Sequence, residues 1–171
     1  MEWQETKTQV SLLGVQWDTI TDELILQLPS FDDLSKLTKR SMLSHIASVY
    51  DPCGLISPAI LPAKNAQAKI WASEANAKWD DPINDKLKME FIRILASWEN
   101  VTFRFPRRSF SSKLNSNASL QLHGFSDASQ NGFGFSIYVR LIIDDSVESS
   151  LMFARALVVP TALRPKPTKK V

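Results

Sequence analysis

Between Leu120 and Val139 the chain reads as two strands folded back on each other, and this hairpin limits the possible folds more than any other segment. Leu120-Gln121-Leu122-His123-Gly124-Phe125-Ser126-Asp127-Ala128-Ser129 is β-capable and closes on one acid. Asn131-Gly132 is a tight-turn dipeptide, and Phe133-Gly134-Phe135-Ser136-Ile137-Tyr138-Val139 returns along the first strand. Asp127 then stands at an open strand end. Its neighbours Ser126, Ala128, Ser129, Gly132 and Gly134 are small, which leaves room for a hydrated ion or a second backbone. Residue types alone leave Asp127 open between a turn former and a metal ligand.

A further strand is expected at Leu151–Val159, after a polar stretch from Leu141 to Ser150 that holds Asp144-Asp145. Near the N-terminus, Val10–Trp17 and Glu23–Leu28 read as a hairpin across the turn-forming Asp18–Asp22, with Leu24, Leu26 and Leu28 on one face. A two-stranded hairpin alone is marginal in water, so it needs a partner surface.

The middle of the chain has helical spacing. Thr38 is a plausible N-cap, and Met42, Leu43, Ile46, Val49 and Tyr50 share a face. Asp51-Pro52-Cys53-Gly54 stops that helix. Ser57-Pro58 reads as an N-cap followed by proline at the first helical position. The helix is expected to run to Ala77, with Leu61, Ala68, Trp71 and Ala75 on one stripe; Pro62 predicts either a kink or a helix that starts there. Leu87, Phe91, Ile94, Leu95 and Trp98 give the strongest helical signal. Phe103–Arg108 reads as a strand or connector, and Ser109–Ser119 as a linker.

Composition excludes several classes. A chain of 171 residues holds one ordinary domain or two small ones, and 44% hydrophobic with 22% charged residues is ordinary for a globular protein. No apolar run reaches membrane-span length, and Met1–Glu5 lack a secretory pattern, so an intracellular location is the expectation. Cys53 is the sole cysteine, so no internal disulfide or cysteine-based zinc site can form. Cys53 itself, within a turn composition, reads more simply as a small buried hydrophobe than as a nucleophile. The five cations after Glu148 meet no acid, so the net +2 leaves −3 for the remainder. The Pro-rich basic stretch Arg164–Val171 reads as a solvated linker or a phosphate contact.

Three acidic pairs have simple readings. Asp80-Asp81 suits a helix N-terminus and Asp144-Asp145 a turn. Phe31-Asp32-Asp33 lacks the spacing residue, and the neighbouring strand with a partner carboxylate, that a polymerase aromatic-x-Asp-Asp turn uses to hold two metal ions, so it too reads as a turn.

Taken together, the chain resembles the polyprotein of BEL/Pao-type LTR retrotransposons. Leu13-Gly14-Val15-Gln16-Trp17 is similar to the family's Leu-Gly-x-x-Trp hairpin. Thr38-Lys39-Arg40 leading to Asp51-Pro52-Cys53-Gly54-Leu55-Ile56-Ser57-Pro58 is similar to its most recognisable stretch. Ala63-Lys64 and Trp71 fit the family's next helix, Trp79-Asp80-Asp81-Pro82 fits the break after it, and Leu122–Ser129 resembles the first strand of its RNase H domain. The resemblance implies an α+β fold: a palm-edge β-hairpin over 1–37, a thumb- or connection-like helical region over 38–108, a linker over 109–119, and over 120–171 a truncated RNase H-like sheet of three antiparallel strands.

It also implies that Asp127 matches the first Mg²⁺-holding carboxylate of a two-metal phosphodiester hydrolysis site. The polymerase aspartates would lie ahead of Met1, and the next RNase H carboxylate beyond Val171. One carboxylate cannot hold two ions. The expectation is a polyprotein fragment without polymerase or nuclease activity, with Mg²⁺ belonging to the intact parent domain and no cofactor to the fragment. The parent's partner would be an RNA–DNA hybrid or template–primer duplex, with no membrane and no small-molecule substrate. The alternative is a nucleic-acid-binding module that keeps the thumb-like helices and grips phosphates through Lys39, Arg40, Arg107 and Arg108; a third possibility is a nuclease completed in trans. A three-stranded sheet lacking a covering helix would have open edges and a tendency to aggregate.

Overall fold

The structure, a computed structural model, describes residues 8–12, 15–31, 34, 36–112 and 115–160. Leu13-Gly14, the Asp32-Asp33 pair and the basic stretch from Arg164 lie outside the described residues. The described elements form two antiparallel sheets and three helices.

The first sheet has strand order β1 (Gln9–Leu12), β2 (Val15–Asp18), β3 (Glu23–Gln27), β4 (Thr102–Pro106). The single strand expected over Val10–Trp17 is in fact two, with Val10 opposite Trp17. β4 comes from beyond the helices and pairs with β3, Leu26 against Phe103 and Leu24 against Phe105. That register puts Trp17, Leu24, Leu26, Phe103 and Phe105 on one face. Leu26, Phe103 and Phe105 join the helical core, supplying the surface the hairpin needs.

Helix α1 (Lys39–Ala47) starts as the sequence predicts. Thr38 caps it through a reciprocal box with Ser41. Met42 and Ile46 are buried, but the helix ends at Ala47, and Leu43 and Tyr50 are exposed. Helix α2 (Ser57–Ser73) has Ile56, not Ser57, as its N-cap, and Pro58 stands at the second helical position. Pro62 does not start the helix; it lies inside it, where its missing N–H forfeits one bond of the ladder. The buried stripe is Ile60, Ala63, Ala66 and Ile70, one face round from the stripe read in the sequence. The helix stops at Ser73, and the Lys39 ammonium donates to the Glu74 and Ala77 carbonyls just past its end. Helix α3 (Asp85–Ala96) is capped by Asn84, so Asp80 and Asp81 do not begin it. Phe91, Leu95 and Trp98 are buried with Ile83, Leu37 and Ile70 in one core between the helices and the first sheet.

The second sheet is β5 (Ser119–Ala128), β6 (Gly132–Ile143), β7 (Ser146–Val158), in that order. β6 and β7 meet at a two-residue Asp144-Asp145 turn, so both strands extend into the stretch read as a polar loop. Asp144 takes φ 51°, which aspartate tolerates in tight turns. Contrary to expectation, part of this sheet is covered, because the first turn of α2 packs against β6 and β7. A Cβ on Gly132 would meet the Leu61 methyls at 3.2 and 3.4 Å. The opposite face is divided: Val139, Leu141 and Ile143 are buried on it, while Phe133, Phe135 and Ile137 farther along β6, and Leu120 and Leu122 on the edge strand, are exposed.

Candidate functional site

Asp127 lies one residue from the end of β5, an edge strand, directly opposite Gly134 on β6. Its Oδ1 accepts from the Ala128 backbone N–H at 2.8 Å, and the carboxylate is exposed. Ser129 closes the turn: its N–H donates to the Gly132 carbonyl at 2.8 Å, and its hydroxyl accepts from Gly132 N–H at 3.2 Å. Thus the sequence signal at the hairpin, an acid followed by small turn residues, produces an accessible carboxylate at a strand end.

The carboxylate borders a cleft of ≈ 450 Å³. Its floor is made of small residues that the register aligns, Gly132 and Gly134 on β6 with Ala154 and Ala156 on β7. Phe125 borders it on β5, and Ser57, Pro58 and Leu61 from α2 form the facing wall. The α2 wall was invisible in the sequence. The small residues at 132, 134, 154 and 156 were its only trace, and they become a continuous floor only once strand register is known.

The donor set does not fit a two-metal centre. Among the described residues no group of three or more His, Cys, Asp or Glu side chains is placed to hold a metal. The cleft presents one carboxylate, with Ser126 and Ser129 beside it. His123 is on the same face of β5 but bonds with Gln121 (3.3 Å).

The four basic residues expected to grip nucleic acid fall in two adjacent pairs, Lys39-Arg40 and Arg107-Arg108, and each has a partner within the chain. Lys39 is 7% exposed and held by carbonyls, with its ammonium 5.7 Å from the Trp71 ring centroid. Arg40 forms a two-pronged pair with Asp80 (2.7 and 3.0 Å), which holds the Asp80 carboxyl below its usual range and raises the guanidinium. Arg107 forms a similar fork on Asp22 and stacks over Trp17 at 5.0 Å; Arg108 reaches the same carboxylate at 3.0 Å. The Arg107 bond, then the Trp17 indole N–H, keep the Asp22 carboxyl below its usual range. Arg104 likewise pairs with Glu23 and Asp18. The acids of the β2–β3 hairpin therefore neutralise the cations in and just after β4.

Among known families, a model described as "Pao retrotransposon-like RNaseH-like domain" matches residues 38–167. No curated protein matches the chain.

Proposed function

The chain belongs to the Pao retrotransposon-like RNaseH-like domain family, and is thus a region of a Pao-type retrotransposon polyprotein; we propose that Asp127 is the first carboxylate of that region's RNase H-type site. The observation that carries this reading is the exposed Asp127 carboxylate at the end of β5, beside a cleft floored by small residues. We further read residues ahead of 38 as the edge of a reverse transcriptase palm, and residues 38–108 as its thumb or connection. In support, β4 returns to the hairpin sheet, so that sheet and the helices share one core.

One carboxylate does not make a two-metal centre, so the chain by itself carries out no hydrolysis in this reading. Its contribution is to hold a single acidic ligand at a fixed place on a preformed hairpin. Partner ligands would come from elsewhere in the polyprotein. The test is cleavage of a labelled RNA–DNA hybrid in Mg²⁺. The purified chain should cleave no more than its Asp127→Asn variant. Mg²⁺-dependent cleavage by the chain that Asp127→Asn abolishes would show a complete site and overturn the reading.

The alternative of a phosphate-gripping module has less support, because Lys39, Arg40, Arg107 and Arg108 are already satisfied. A phosphate would have to displace carboxylates to reach three of them, and Lys39 is buried.

A further inference from the structure

We propose that the Asp51–Ser57 turn is a clasp that fixes the first turn of α2 as one wall of the Asp127 cleft, with Gly54 and Asp51 as positioning residues for that site. A Pro-Gly turn between two helices needs only to stop one and start the next. This one does more, because it also bonds to the edge of the second sheet. The Ala154 N–H on β7 donates to the Cys53 carbonyl at 2.9 Å. Gly54 sits at φ 72°, and a Cβ there would fall 1.6 Å from the Ala154 carbonyl oxygen. Both the backbone conformation and the close approach require glycine at this point.

The turn is internally braced. Asp51 accepts from Leu55 N–H at 2.8 Å with one oxygen and from Ile56 N–H at 2.9 Å with the other. Gly54 N–H donates to the Asp51 carbonyl at 3.3 Å, and Ser57 N–H to the Gly54 carbonyl at 3.2 Å. On its other side the turn is anchored by Ile56, 2% exposed in the helical core. α2 begins three residues after Gly54, and one turn later Leu61 touches Gly132. The start of α2 is thereby held to the sheet at two points, the β7 edge just before its first turn and the start of β6 one turn in.

The floor between those points is made of small residues, whose burial against α2 yields little. The bonds of the turn, rather than apolar burial on the sheet, therefore set where the wall stands. The cleft takes its shape from this clasp whether or not Asp127 binds a metal.

The experiment is nuclear magnetic resonance on the whole chain and a Gly54→Ala variant. In the native protein the Ala154 amide should exchange as slowly as amides of the β6–β7 ladder, and the Leu61 methyls should show an Overhauser contact with Gly132. In Gly54→Ala that contact should vanish and Ala154 exchange should quicken about tenfold or more, while the Phe91 and Leu95 amides keep their protection. A clasp with only a stabilising role would lower the melting temperature and leave the Leu61–Gly132 contact in place. Retention of both signals in Gly54→Ala overturns the proposal, as does a native Ala154 amide that exchanges like a free loop. Should Gly54→Ala fail to fold, Asp51→Ala removes the brace without adding volume, and the same two readouts decide.

Discussion

Glu148 ties down the chain between the two sheets. Its carboxylate accepts from the Ser111 N–H and hydroxyl, each at 2.8 Å, and from Ser112 N–H at 3.1 Å. The Ser112 hydroxyl first, then the Ser111 N–H and hydroxyl, favour the charged form and pull its pKa from 4.5 to about 2. Because the folded value is depressed, the stabilisation is complete above the unfolded value and fades as pH falls from near 4.5 through about 2. Protection of the Ser111 and Ser112 amides, relative to their intrinsic exchange rates, should fall over that window, and Glu148→Gln should show the low protection already at pH 7. His45 adds a second pH dependence. It packs edge-on to Phe31 at 4.1 Å, and burial lowers its pKa below the usual imidazole range. The unfolded chain then takes up the proton first, so this share of stability declines as pH drops below the ordinary histidine value. The residue-scale reading of the sequence holds at Thr38. Its capping depends on Ser41, three positions on, whereas the expected Asn131-Gly132 turn is instead a loop closed by Ser129, with Gly132 already in β6. The same reading fails for Asp80, read as a helix start, whose partner Arg40 lies forty positions away.

Among the elements, α3 shows best what periodicity can reveal. Leu87, Phe91, Ile94, Leu95 and Trp98 mark one face, and Phe91 and Leu95 lie at 0% and 3% exposure. Phe91→Ala should destabilise the chain by about 3–5 kcal/mol, measured by denaturant or thermal unfolding. In α2 the periodicity points to the wrong stripe, because an Ala-rich helix offers little contrast between faces; Ile60 and Ile70 decide which face packs inward. The pairing of β4 with β3 could not be seen in the sequence, since ladder bonds across about 80 positions leave no local signature. Composition makes Asp144-Asp145 read as a loop, which hides the true ends of β6 and β7, whereas the left-handed φ of Asp144 folds the pair into a two-residue hairpin turn.

At the scale of the molecule, the two sheets differ in what supports them. The helices and first sheet share one large buried cluster. The second sheet buries Val139, Leu141, Ile143 and Ala156 but exposes Leu120, Leu122 and Phe125 on its free edge strand, at 55%, 76% and 59%. An open edge beside an apolar face invites association. Light scattering should therefore show concentration-dependent self-association, reduced by Leu122→Lys with no loss of helical signal. No helix among the described residues is long and apolar enough to cross a membrane. Internal pairing of the Arg40, Arg107 and Arg108 guanidiniums predicts that any hybrid binding in low salt falls to background by about 0.2 M salt. In the proposed reading Asp127 is one ligand of a site whose other ligands lie elsewhere in the polyprotein. The most direct test of that reading is a Mn²⁺ titration of the isotope-labelled chain. Paramagnetic broadening should be confined to Ser126–Ser129 and Gly132–Gly134, saturate only on the order of 1 mM or above, and disappear in Asp127→Asn. Broadening that ignores Asp127→Asn, or a micromolar site holding two ions, would contradict it.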